Sequence, residues 1–155
     1  MLRRAILVDP NTTRLERSRR AIGDGTLTTL RDFQSAREQL LREQPQFLAT
    51  TLRLGAYNGL HLVYLVASLH IDARCLVYSE ELDLVLVREA LHAGAFYEDA
   101  SRVPYVLSSY LRAALPVHDR RSPERFERRA ARRGGRRSAD VLTFASVADR
   151  PVSLN

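Results

Sequence analysis

The chain has 155 residues, 45% of them apolar, a net charge of +6 and a single cysteine, Cys75. That length suits one domain of about 115 residues with an appendage, enough to bury a core without disulfides or metal. One cysteine excludes an intrachain disulfide or a cysteine-rich metal site. All 24 basic residues are arginine, so Schiff-base, Walker-lysine and lysine-clamp chemistry are excluded as well.

The charge is unevenly placed. Residues 117–155 hold ten arginines against five acids and so carry +5 of the net charge, leaving residues 1–116 near neutral. The expected organisation is a domain over 1–116 and an Arg-rich, flexible tail over 117–155. No run approaches the roughly 18 apolar residues of a membrane span. The N-terminal stretch is too short for a signal-peptide core, so a cytoplasmic location is expected.

In chain order, residues 4–9 form a short apolar run closed by Asp9 and Pro10, which predicts a buried strand. Leu15, Arg19 and Ile22 mark a helix face ended by Gly23 and Gly25. Residues 26–30 predict a second strand. Phe33, Ala36, Leu40 and Leu41 fit a helix that stops before Pro45. Residues 46–51 predict a third strand, and Gly55 and Asn58-Gly59 mark a loop. A helix follows on Leu60, Val63, Tyr64, Ala67 and Ser68, then a strand over 74–78. Leu82, Leu86, Ala90 and Leu91 predict a helix ending at Gly94, and 95–97 a short strand. The last helix, Val103 to Leu115, places Val106, Leu107, Tyr110, Leu111 and Ala114 on one face before Pro116. Five apolar strands alternating with five helices predict an α/β fold, a parallel doubly wound sheet covered on both faces. Its functional crevice lies beyond the carboxyl ends of the strands.

Four segments then resemble a known pattern at the right spacing: Ile6-Leu7-Val8-Asp9; Leu52-Arg53-Leu54; Asn58-Gly59-Leu60; and Glu89-Ala90-Leu91-His92-Ala93-Gly94-Ala95. Together they resemble the receiver (CheY-like) domain of two-component response regulators, over about residues 3–115. The resemblance implies a flavodoxin-like sheet of order 2-1-3-4-5 flanked by five helices. It also implies a pocket that phosphorylates an aspartate, using an acidic pair with a divalent cation, a hydroxyl and a lysine. Carried over by position, the acceptor falls on Thr51 and the acidic pair on Asp9 and Pro10. The hydroxyl falls on Ser79 and the lysine on or near Ser101. Thr51 and Pro10 carry no carboxylate, and no lysine exists. The expectation is a degenerate pseudo-receiver that is not an enzyme and binds no cofactor or metal. Asp9 is at most a weak cation ligand, and a turn-forming role suits it equally.

Other candidates point away from catalysis. His61, His70, His92 and His118 lack metal or triad spacing, and Cys75 lies in an apolar run. No Gly-rich phosphate loop or nucleophile-elbow serine occurs. The resemblance implies a partner surface on the fourth helix, fifth strand and fifth helix, offering Tyr97, Tyr105 and Tyr110 to a signalling protein or a second copy. The alternative is a scaffold whose tail binds an anionic partner: nucleic acid, a cyclic dinucleotide or a membrane. Arg125, Arg128, Arg129, Arg132, Arg133, Arg136 and Arg137 would carry it. The apolar segment 141–148 suits docking on a partner or on the domain itself.

Overall fold

Short apolar runs separated by capped helices give a single parallel sheet in the computed structural model, which describes residues 4–23 and 25–113. The strands and helices run β1 (Ala5–Val8), α1 (Thr12–Ile22), β2 (Leu27–Leu30), α2 (Phe33–Glu43) and β3 (Phe47–Thr51). They continue as β4 (Arg53–Leu54), β5 (Tyr57–Asn58), α3 (Leu60–Ser68), β6 (Arg74–Ser79), α4 (Leu84–His92), β7 (Phe96–Asp99) and α5 (Val103–Arg112). The main sheet has the order β2-β1-β3-β6-β7, and β4-β5 form a separate two-stranded antiparallel ladder. With β6 and β7 as its fourth and fifth strands, this is the expected 2-1-3-4-5 arrangement. The register aligns Val8 with Leu30 and Thr50, Thr51 with Tyr78, and Ser79 with Asp99, so the strand ends open on one edge.

The alternation of side chains along the strands splits the core into two layers. Ile6, Val8, Leu48, Cys75 and Val77 pack with Ala36 and Leu40 of α2, Val63 and Val66 of α3, and Ala90 of α4. Ala5, Leu7, Phe47, Ala49, Leu76, Tyr78 and Phe96 pack with Leu15 and Ile22 of α1 and Val103, Leu107 and Leu111 of α5. Burial pushes the Cys75 thiol up to about 12. Iodoacetamide at neutral pH is therefore expected to leave Cys75 unlabelled in the folded protein and to modify it fully in urea; mass spectrometry after a timed pulse checks this.

Local chemistry sets several boundaries. The Asn11 side chain caps α1 by accepting from the Arg14 N–H at 3.0 Å, and Asp32 caps α2 by accepting from Ser35 N–H at 2.8 Å. On α1 the buried face is Leu15, Ser18 and Ile22, while Arg19 is exposed. A helical turn placed one residue off explains the difference from the expected face. The expectation that α4 includes Leu82 is corrected. The Asp83 carboxylate accepts from Val85 and Leu86 N–H, so the helix starts at Leu84 and Leu82 is left exposed. The fifth sheet strand runs to Asp99 rather than ending at Tyr97, because pairing with β6 continues to Ser79–Asp99. Leu115, Pro116 and the tail, with its arginines 125–137 and apolar segment 141–148, lie outside the described residues. No helix among the described residues is long and apolar enough to cross a membrane.

Candidate functional site

The sheet order reverses between β1 and β3, and the crevice at such a switch point is where an open α/β sheet binds ligands. A cavity of about 190 Å³ opens there. The end of β1 and start of α1 contribute Asp9, Pro10, Asn11 and Arg14 to it; β3 and β4 contribute Thr51 and Arg53; the end of β6 contributes Ser79, Glu80 and Glu81. Four of the positions singled out in the sequence thus line one cavity.

Asp9 is almost fully buried, and its carboxylate is already satisfied. Oδ1 accepts from Asn11 N–H at 2.8 Å. Oδ2 accepts from the Arg14 guanidinium at 2.9 Å and from the Tyr78 hydroxyl at 2.8 Å. The second guanidinium nitrogen of Arg14 pairs with Glu80. Arg14 Cζ stands 5.7 Å from the Tyr78 ring centroid, a cation–π distance. One arginine, itself only 11% exposed, therefore joins two carboxylates and an aromatic face inside the crevice.

Tyr78 closes the arrangement from beneath. Burial, reinforced by the Asp9 charge and by its hydrogen bond to Asp9, holds the Tyr78 hydroxyl well above its ordinary value of 10.0, against a smaller opposing pull from Arg14. The unfolded chain releases this proton near pH 10 and the folded one only above it, so the contribution to stability is intact below about pH 10 and lost as pH rises through the folded value. Thermal melts from pH 8 to 11 should show a steeper loss above pH 10 for wild type than for Tyr78→Phe; parallel curves would assign the loss to other groups.

Ser79 Oγ donates to the Glu81 carbonyl at 2.6 Å and shares a 2.7 Å hydrogen bond with the Tyr97 hydroxyl. Tyr97 is therefore turned toward the crevice. Of the other two tyrosines expected at a partner surface, Tyr110 packs on Phe96 and Phe47 and donates to Glu98 at 3.1 Å. Tyr105 alone stands free, 77% exposed. Ser101 does not line the acceptor cavity. Its N–H and hydroxyl both bond Asp99, which holds the Asp99 carboxyl below its ordinary value, and it borders a neighbouring depression with Thr13, Arg17 and Pro104. The residue that leaves β7 beside Ser79 is the buried Ala100, whose N–H donates to the Ser79 carbonyl at 3.0 Å.

No family model and no curated protein matches this chain. Solved structures do match. A two-component response regulator of the LuxR family from an Aurantimonas species superposes with a TM-score of 0.65 at 22% identity, covering 86% of this chain and 99% of that one. A CheY-like response regulator receiver domain protein from Methanospirillum hungatei gives 0.65 at 17%, covering 71% and 90%. The response regulator domain of Thermotoga maritima CheB gives 0.60 at 17%, covering 72% and 95%. The chain has the receiver fold.

The receiver fold implies a divalent cation at the acidic end of the first strand, and the residues here do not fit one. Hard cations of this kind need several free oxygen ligands. Asp9 has spent its oxygens on Arg14, Tyr78 and Asn11, Pro10 offers no carboxylate, and Thr51 offers none from β3. No group of three or more His, Cys, Asp or Glu that could hold a metal occurs among the described residues. The charged partner of Asp9 in the structure is the guanidinium of Arg14, from the helix that follows it. Arg14, Tyr78 and Glu80 were missed from sequence. A cation in the first turn of a helix opposes the helix dipole, and that misplacement was the one local sign pointing to Arg14.

Proposed function

We propose that this chain is a signalling module of receiver fold that acts by binding a partner protein and does not take a phosphoryl group on aspartate. The observation that carries the reading is Arg14, whose guanidinium lies on Asp9 and Glu80 in the crevice where a receiver would need a cation. A built-in positive charge neutralises Asp9 permanently, so the local electrostatics no longer depend on metal or phosphoryl. Thr51 stands at the acceptor position without a carboxylate, and the chain has no lysine to steady phosphoryl oxygens.

Beryllofluoride with Mg²⁺, followed by NMR, tests this. Amide shifts around Thr51 and Ser79 are expected to stay where they are at saturating reagent. A stoichiometric, Mg²⁺-dependent change at Thr51 would overturn the reading. On the partner side, Tyr105 is the proposed contact, and Tyr105→Ala should abolish pull-down of the partner or formation of a homodimer in size-exclusion chromatography.

A second reading is favoured by the charge asymmetry, +5 within residues 117–155. In it the receiver fold is a scaffold and the arginine tail binds a polyanion with strong salt dependence. Truncation after Pro116 separates the two: partner binding survives it in the first reading, and salt-sensitive anion binding disappears with it in the second.

A further inference from the structure

The loop between β6 and α4 is held by both of its first two side chains. Glu80 pairs with Arg14 of α1, and Glu81 pairs with Arg53 of β4 at 3.1 Å. Its root is tied as well, since Ser79 Oγ bonds the Glu81 carbonyl and the Tyr97 hydroxyl. The loop ends at Asp83, the cap of α4, and it carries Leu82 ahead of Leu84 and Val85, all at least 66% exposed.

We propose that Glu80 and Glu81 form an electrostatic strap that sets the position of this loop and of the exposed apolar start of α4, and that ionic strength loosens it. The proposal rests on the reading that Arg14 has taken the place of a cation, and adds what that charge governs. Three carboxylates within four residues, Glu80, Glu81 and Asp83, repel one another. Two arginines reaching in from different elements offset that repulsion. Arg53–Glu81 is largely exposed and contributes little by itself. Arg14 is different: Asp9 and the Tyr78 ring already order it, so pairing with Glu80 restricts only the Glu80 side chain. With Glu80 held, the adjacent Glu81 meets Arg53 at high effective concentration. Both contacts face solvent at the glutamate end, where salt screens them.

The test is hydrogen exchange on the full chain at low salt, comparing wild type with E80Q/E81Q. The readout is the peptide spanning residues 79–87, which includes the Val85, Leu86 and Val87 amides bonded to Asp83. Loss of two partly exposed ion pairs is expected to speed exchange there about threefold, with β1 and β3 peptides unchanged. Wild type in 1 M NaCl should approach the variant, and the variant should not respond to salt. Equal rates in 79–87, a rise spread over the whole sheet, or a salt-insensitive wild type would each overturn the strap. The beryllofluoride experiment reads Thr51 in wild type, so the functional reading and the strap can fail separately.

Discussion

Arg14→Met is expected to cost about 3 kcal/mol of folding stability, the usual penalty for removing one partner of a buried pair. The substitution keeps most of the aliphatic volume and removes the charge. Asp9 is then left at 1% exposure with only the Tyr78 hydroxyl and the Asn11 N–H as partners for its carboxylate. Glu80 loses its partner too, but at 69% side-chain exposure it is resolvated and adds little. Urea unfolding at neutral pH measures the loss. Asp9→Asn in the same background removes the orphaned charge and should recover a good part of it, so the double-mutant cycle gives a coupling above about 1 kcal/mol. A single variant within 0.5 kcal/mol of wild type, or strict additivity, would mean that the pair does not hold the crevice together.

Gly59→Ala is expected to be comparably damaging, about 3 kcal/mol, at the upper end of overpacking losses. A Cβ on Gly59 would stand 2.0 Å from the Thr51 carbonyl oxygen and 2.8 Å from Thr50 Oγ1. The obstacle is the backbone of β3, the central strand, and not the tip of a movable side chain. Gly59 cannot simply withdraw, because its N–H donates to the Leu52 carbonyl at 2.8 Å and it opens α3. Gly55 is the control: its φ of 64° is left-handed and the space about it is open, so Gly55→Asn should stay close to wild type. Urea midpoints of the two variants decide the matter, and a mild Gly59→Ala would show that the β3–α3 connection can shift as a unit.

The elements were legible where the signal is local. Short apolar runs such as residues 4–9 and 74–78 read directly as buried strands, because burial is decided within a few residues. The start of α4 was not, since Leu82 has helical spacing with Leu86 while the cap lies one residue later, at Asp83. Asn58-Gly59 read as a loop signal, but the pressing contact with Thr51 depends on how the chain doubles back and leaves no mark on composition. The tyrosines divide for a similar reason: Tyr97, Tyr105 and Tyr110 look alike in sequence and meet a hydroxyl, solvent and two phenyl rings respectively.

What the sequence by itself determined is the chemistry that this receiver fold lacks. A chain without lysine has no side-chain ammonium wherever it folds, and Thr51 and Pro10 have no carboxylate in any conformation. What stands in that place only the tertiary structure decided. Arg14 and Glu80 are 66 residues apart, and Asp9 and Tyr78 are separated by 69. They meet because β1 lies beside β3, β3 beside β6, and α1 covers the same face of the sheet as Tyr78. Residue identity sets which charges exist; side-chain direction across a parallel sheet sets which of them neutralise one another.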